Sequence, residues 1–215
     1  MTLNIRVADD QFGAFHRKVA AIADRLDKSL TFEKVMDALQ RIHDGEFEKT
    51  TPLQSQAESK LLELLTTVSL PGAKRFVASE NFKVDTSRKA KVKIAWMGDN
   101  FKKLLTKVEE DVPASDLKIH KLTKPSVDKP IRDELGAKHK TYLADLWAML
   151  KKQPNGEEGD LLVDGRANIF YIFDEDATSW AVDARWYADD GGWRLDANSV
   201  SRPGRWYGGY QVVSR

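Results

Sequence analysis

The last forty residues, 176–215, read DATSWAVDARWYADDGGWRLDANSVSRPGRWYGGYQVVSR. Four of the six tryptophans of the chain lie in this stretch, separated by small and polar residues. It contains Asp and Arg but neither Lys nor Glu, although the residues before it hold all 21 Lys and all 12 Glu. Because ordinary solvent-facing surfaces use Lys and Glu freely, this change in the kind of charge needs a specific cause.

Side chains alternate along this stretch as they do in β-strands. From 180 to 187, and again from 193 to 199, apolar or small residues alternate with polar ones. The sequence DDGG at 189–192 predicts a turn between the two runs, and a final strand is expected at 210–214. The pattern therefore predicts an antiparallel meander with one apolar face and one polar face. The polar face carries Asp183, Arg185, Tyr187, Arg194, Asp196 and Asn198.

The preceding segments predict both helices and strands. Residues 1–70 suggest three amphipathic helices, at 9–27, after Thr31, and from Thr51 to just before Pro71, with a role in oligomerisation or docking left open. Further on, the patterns predict strands in RFVASENFKV, in KVKIAWMG and at 161–163. They also predict an edge strand in DLKIHKLTKPSV and a strand buried on both faces at 168–173. Helices are predicted at 100–108, 131–135 and 142–150.

Composition limits the class of protein. The chain has no Cys, which excludes disulfides, thiolate catalysis and Cys-based zinc sites. We find neither a signal-peptide pattern nor an apolar run of membrane-spanning length, so a cytoplasmic protein is the default expectation, with surface display by another route left open. Net charge is −2 over 1–70, +8 over 71–152 and −5 over 153–215.

Motifs for catalysis and metal binding are not found in the sequence. His16, His43, His120 and His139 share no metal-ligand spacing, and neither a phosphate loop nor a nucleophile elbow occurs. The acidic runs 174–176 and 189–190 lack the alternation of an EF-hand loop and are better explained as acidic turns. We therefore expect a non-enzymatic protein without a metal ion or cofactor.

A basic segment at 83–107 offers one possible binding function. Its cations could face a phosphate backbone, which makes nucleic-acid binding the alternative function, although interleaved acidic residues also fit an ordinary solvated surface. The cations are Arg88, Lys89, Lys91, Lys93, Lys102, Lys103 and Lys107.

The polar residues of the C-terminal stretch offer another possible function. Tyr, Arg, Asn and Asp are side chains that protein-binding surfaces use. An AAC or AAT codon randomised at its two adenines can encode these residues but cannot encode Lys, Glu, Gln, Met or Trp. The polar positions hold only permitted residues, while the tryptophans occupy framework positions between them. This pattern is typical of adenine-directed mutagenesis acting on a constant scaffold.

Residues 155–215 resemble the variable proteins of diversity-generating retroelements. The resemblance is carried by GEEGDLLVDG (156–165), NIFYIFD (168–174), WAV (180–182), Trp186, GGW (191–193), Ser199-Val200, Pro203, Trp206 and VVSR (212–215). It implies an α+β fold in which an N-terminal helical region, 1–70, precedes a C-type-lectin-like domain, 71–215, with an antiparallel sheet and flanking helices.

The resemblance also implies where a ligand binds. In this family the variable positions lie on an exposed sheet face and its loops and contact a ligand, commonly a protein. The variable region would cover about 177–211. Its ligand-binding residues would be Asp183, Arg185, Tyr187, Asp189, Asp190, Arg194, Asp196, Asn198, Tyr207 and Tyr210.

Overall fold

A mixed β-sheet with four short helices makes up the part of the chain that the computed structural model describes, residues 60–201 and 204–215. The α+β class is therefore confirmed, with more sheet than helix. The strands are β1 Leu62–Leu70, β2 Ala73–Val77, β3 Ile94–Met97, β4 Val108–Val112, β5 Ser115–Leu122, β6 Lys140–Thr141, β7 Asn168–Phe173, β8 Ser179–Tyr187, β9 Gly192–Ser199 and β10 Gln211–Ser214. The helices are α1 Ala78–Asn81, α2 Asp99–Lys103, α3 Asp128–Leu135 and α4 Leu143–Lys152.

β8 and β9 form the first two strands of the meander predicted in the C-terminal stretch, and β7 lies beside β8 in the sheet. These strands pair antiparallel in order, with Phe170 opposite Val182 and Val182 opposite Ala197. The strand order of the main sheet is β1-β5-β10-β7-β8-β9-β3, β6 pairs with β7, and β2 and β4 form a separate pair. The buried strand predicted at 168–173 is confirmed, because five of the six residues of β7 are buried.

The last strand does not continue the meander. β10 lies between β5 and β7, antiparallel to β5 and parallel to β7. The prediction that β5 is an edge strand is therefore wrong, since it lies between β1 and β10. Its alternating pattern arises because Leu117 and Ile119 point into a core, while the residues beside them are only partly buried or exposed.

Two hydrophobic cores flank the sheet. One lies under α4 and contains Trp186 and Trp193, which are 8% and 0% exposed and pack edge to face with ring centroids 5.7 Å apart. The other contains Ile131 of α3 together with Tyr171 and Trp206. On β8 the second core ends near Ala181. The polar side chains that follow on that face of the strand are therefore not covered by this core.

Helix α4 begins on a buried carboxylate. Glu109 is 4% exposed and accepts the backbone N–H groups of Leu143 and Ala144 at 3.0 and 2.9 Å. These N–H groups have no partner inside the helix, and a negative charge at a helix N-terminus is favourable. Lys107 Nζ lies 3.3 Å from the same carboxylate and also donates to the carbonyl of Phe173. Together these contacts hold α4 against the sheet.

Glycine allows the loop after α4 to pack beneath the tryptophans. Gln153 Oε1 accepts the N–H of Leu161 at 2.8 Å, and Gln153 Nε2 donates to the carbonyl of Leu161 at 3.0 Å. The backbone carbonyl of Gln153 accepts the indole N–H of Trp193 at 3.1 Å. Gly156 has a φ of 70° and lies so close to Trp186 that an added Cβ would be 2.0 Å from the ring. The segment Leu161–Val163, predicted to be a strand, is loop.

Part of the predicted N-terminal helical region is wrong. Residues 62–70 form β1, which pairs antiparallel with β5, rather than the end of a helix. Val68 and Leu70 alternate with exposed residues and pack in the core under α4, whereas Leu62 packs in the second core, because the register shifts between Leu64 and Thr66. RFVASENFKV is likewise a strand only to Val77 before α1. The helices predicted at 9–27 and after Thr31 lie outside the described residues.

Among the described residues there is no helix of sufficient length and apolarity to span a membrane. The longest, α4, has ten residues.

Candidate functional site

Six side chains of β8 and β9 form one surface, which we call the polar face: Asp183, Arg185, Tyr187, Arg194, Asp196 and Asn198. They alternate with Val182, Ala184 and Leu195, which point into the core beneath α4. The strand register places Asp183 opposite Asp196 and Arg185 opposite Arg194. Alternation and register thus bring together, on one side of the sheet, residues that the sequence separates by up to 15 positions.

Like charges face each other twice on the polar face. Directly opposed like charges destabilise an antiparallel strand pair. The two arginines avoid each other by turning to different partners. Arg185 Nε lies 3.2 Å from Asp183 Oδ1, and its guanidinium lies 5.3 Å from the centroid of the Tyr210 ring. Arg194 Nε lies 2.5 Å from Asp190 Oδ2, and its guanidinium lies 4.7 Å from the centroid of Tyr187.

Asp183 is the least exposed member of the polar face. It is 6% exposed, contacts Arg185 and accepts a long hydrogen bond of 3.5 Å from Asn198 Nδ2. Burial raises the pKa of the Asp183 carboxyl, and the nearby Asp196 charge raises it further, while Arg185 offsets part of the effect. Asp183 therefore holds Arg185 in position and offers little surface for contact with a ligand.

The raised pKa of Asp183 predicts a pH-dependent stability. Its unfolded value is near 3.8, so between that pH and the higher folded pKa the native state binds more protons than the unfolded state. The stabilising contribution of this carboxyl is present below the unfolded pKa and is lost as pH rises through the folded pKa. We therefore expect the unfolding free energy of Asp183→Asn, relative to the parent chain, to increase from pH 3 to pH 7.

Urea unfolding of both proteins across this pH range measures the difference. Asp189→Asn, at an exposed turn carboxylate, is the control for adding an amide to the same region. A difference that stays constant or decreases with pH would contradict the assignment of a raised pKa to Asp183.

Tyr207 and Tyr210 extend the polar face beyond the strands. Tyr207 is 59% exposed, and its ring centroid lies 5.9 Å from that of Tyr210, which in turn contacts Arg185. Trp206 anchors their loop from below. Its Nε1 donates to the buried Asp128 Oδ1 at 2.7 Å, and the same oxygen accepts the hydroxyl of Tyr171 at 3.0 Å. The loop is thus attached to the framework at a residue that does not face solvent.

The ten predicted ligand-binding residues thus occupy different environments. Six form the polar face, Tyr207 and Tyr210 border it, Asp190 contacts it through Arg194, and Asp189 is exposed at the turn. Of the four tryptophans interpreted as framework, three are buried. Trp180 is half-buried and donates to Asp174 Oδ2 at 2.9 Å.

Trp96 borders the same surface and was missed by sequence reasoning. It is 45% exposed and pairs with Arg194 across the parallel strands β3 and β9. A register shift between Ile94 and Trp96 moves Trp96 to the opposite face from the fully buried Ile94. Strict alternation would have placed both residues in the core, so no simple sequence signal identifies it.

The basic segment is divided by the fold. Lys107 is bound to Glu109 and to the carbonyl of Phe173, and Lys102 pairs with Asp99 at 2.9 Å. Lys103 donates to Asn100 Oδ1 at 3.0 Å. Arg88, Lys89 and Lys91 are exposed in the loop before β3. Lys107 therefore has a structural role, whereas the loop before β3 remains an exposed basic part of the segment.

The two histidines in the described part of the chain make structural contacts. His120 Nε2 lies 3.1 Å from Ser214 Oγ, and burial, with a contribution from Lys118, lowers its pKa. His139 Nδ1 lies 2.6 Å from the carbonyl oxygen of Gly136. Across residues 60–201 and 204–215, no group of three or more His, Asp or Glu has the arrangement of a metal site.

Comparisons with protein-family models, curated proteins and solved structures found no match to this chain. Its function is therefore inferred from its own residues and their geometry.

Proposed function

We propose that this chain is a non-enzymatic ligand-binding protein whose polar face is diversified by a retroelement. Its C-terminal region would have a C-type-lectin-like fold, and its ligand would be another protein. The mixed sheet with flanking helices supports the fold assignment, and the residue types of the polar face support the binding role.

The observation that carries the proposal is that like-charged residues lie opposite each other at two positions of β8 and β9. A face selected for stability alone would place opposite charges across the strands, since such pairs stabilise a sheet. Here Asp183 lies opposite Asp196, and Arg185 lies opposite Arg194 at the next position on the same face. A surface whose residues vary for the sake of binding accepts this cost, because the cores beneath it hold the sheet.

The codon pattern supports the same proposal independently. Each of the ten predicted positions holds a residue that adenine mutagenesis of an Asn codon can produce. The tryptophans between them cannot arise in this way, and three of these four are buried. Nine of the ten predicted variable positions are exposed or partly exposed, and Asp183 is the buried exception.

A genomic observation tests the origin of the surface. We expect a near-copy of the codons for about 177–211 next to a reverse transcriptase gene, with differences confined to adenines. These differences should fall at the ten predicted positions and spare Trp186, Trp193 and Trp206. A copy that differs at other bases, or no copy, would contradict retroelement diversification.

Substitutions on the polar face should change the free energy of unfolding much less than substitutions in the core. The variant Tyr187→Ala/Arg194→Ala/Tyr207→Ala should lose at most about 1.5 kcal/mol of unfolding free energy. Arg194 and Tyr207 are exposed and Tyr187 is partly exposed, and surface substitutions each cost within about 0.5 kcal/mol. Trp193→Ala, on the buried face of β9, should cost about 3–5 kcal/mol. Chemical denaturation of both variants measures the contrast. A triple variant as unstable as Trp193→Ala would mean that the polar face is structural.

A further inference from the structure

Trp96 and Asp196 lie side by side at the edge of the polar face. An added Cβ at Gly98 would be 2.9 Å from Trp96 Cη2 and 2.1 Å from Asp196 Oδ1, so the indole and the carboxylate meet directly above this glycine. The backbone beneath them is held in place, because Gly98 N donates to Leu195 O at 2.9 Å. A half-exposed aromatic ring therefore stands beside a carboxylate on a fixed base.

Among the described residues, no cationic side chain pairs with Asp196. Arg185 is paired with Asp183, and Arg194 is turned away toward Asp190 and Tyr187. Within the described residues, Asp196 makes no ion pair, and its Oδ1 accepts only the N–H of Ala197 at 2.8 Å. In the described part of the chain, Asp196 is therefore a carboxylate of the polar face that is left to pair with a cation of a ligand.

We propose that Trp96 and Asp196 form a subsite that takes an arginine or lysine side chain of a protein ligand. The cation would lie over the indole ring and pair with the carboxylate, a combination that is stronger than either contact alone. The carboxylate of Asp196 would repel a phosphate group at this position, which disfavours a phosphate backbone as the occupant. This inference rests on the proposed function, in which the polar face binds a protein.

The subsite joins a constant residue to a variable one. Trp96 lies on β3, far before the variable region of about 177–211, whereas Asp196 lies within it. Exposed tryptophans are the strongest anchors at protein interfaces. Trp96 would thus supply binding area in every diversified form of the protein, and residue 196 would set which side chain is accepted.

Selection of peptides on the full chain tests the subsite. A phage-displayed library of random 12-residue peptides is selected on the immobilised protein, and the dominant peptide is synthesised for calorimetric titration. We expect enriched peptides to contain Arg or Lys. Replacing that residue by norleucine, Trp96 by Ala, or Asp196 by Asn should each weaken binding roughly tenfold or more. Trp96→Phe should retain part of the affinity.

A matched control removes an exposed apolar side chain elsewhere. Leu64→Ala, on β1 at the opposite edge of the sheet and 53% exposed, should leave the affinity unchanged. Thermal unfolding of each variant verifies that it folds, and Trp96→Phe and Asp196→Asn provide the test if Trp96→Ala does not.

The outcomes separate the subsite from the proposed function. Enriched peptides without a basic residue, or no enrichment, would overturn the subsite. It is also overturned if binding withstands changes at Trp96 and Asp196 but is lost in Tyr187→Ala/Arg194→Ala/Tyr207→Ala, a result that leaves the polar face as the binding surface. Binding that withstands all of these changes would overturn both proposals.

Discussion

Glu109→Ala should lower the free energy of unfolding by about 3–5 kcal/mol, because it breaks a buried ion pair and leaves its partner uncompensated. The substitution removes the acceptor of two backbone N–H groups at the start of α4 and leaves Lys107 without its carboxylate. Lys107 has only 16% of its side chain exposed, so water replaces the lost contact poorly. Urea denaturation followed by tryptophan fluorescence measures the loss.

Two further variants isolate the cause. Glu110→Ala removes the neighbouring carboxylate, which is exposed and pairs with Arg75 at 3.1 Å, and should cost less than about 1 kcal/mol. Adding Lys107→Met to Glu109→Ala should restore part of the lost stability, since no unpaired charge then remains buried. If Glu109→Ala behaves like Glu110→Ala, the capping role of Glu109 is wrong.

Gly156→Ala should destabilise the protein by about 3 kcal/mol through two separate effects. The φ of 70° disfavours any residue with a Cβ by about 1–2 kcal/mol. The new methyl group would also overlap the Trp186 ring, and forcing extra volume into a packed site typically costs about 1–3 kcal/mol. Because Trp186 packs on Trp193, the displacement should also change the near-ultraviolet circular dichroism of the tryptophans.

Gly191→Ala is the matched control for this prediction. Gly191 has a φ of 60°, similar to that of Gly156, but an added Cβ would meet no atom within 4 Å. Its substitution should therefore show the backbone cost alone, with unchanged tryptophan dichroism. Equal losses at the two glycines would mean that contact with Trp186 contributes nothing and that the loop moves freely away from the ring.

Local pattern was sufficient to predict the elements that make the polar face. Period-two alternation predicted β8 and β9, continuous apolar character predicted β7, and apolar residues on one helical face predicted α4, all of which are confirmed. These predictions succeed because each of these elements has a nearby core that its own side chains fill.

Pattern failed where the partner of a segment is distant in sequence. Residues 62–70 contain several leucines that suit either a helix or a strand, and pairing with β5 more than 40 residues away selects the strand. β5 was expected at an edge because the sequence does not reveal that the final strand pairs with it. The exposure of Trp96 could not be predicted, because a register shift is a property of two paired strands and not of one.

The sequence by itself determined the α+β class, the meander of β7, β8 and β9, and the set of side chains that share its polar face. Strand periodicity fixes which residues share a face, whatever the rest of the chain does. Only the tertiary structure decided that like charges oppose each other there, that Asp183 is buried while Asp196 makes no ion pair within the described residues, and that Trp96 borders the same surface. Register and burial decide these contacts, because the energy of a charge depends on its neighbours and its exposure to water.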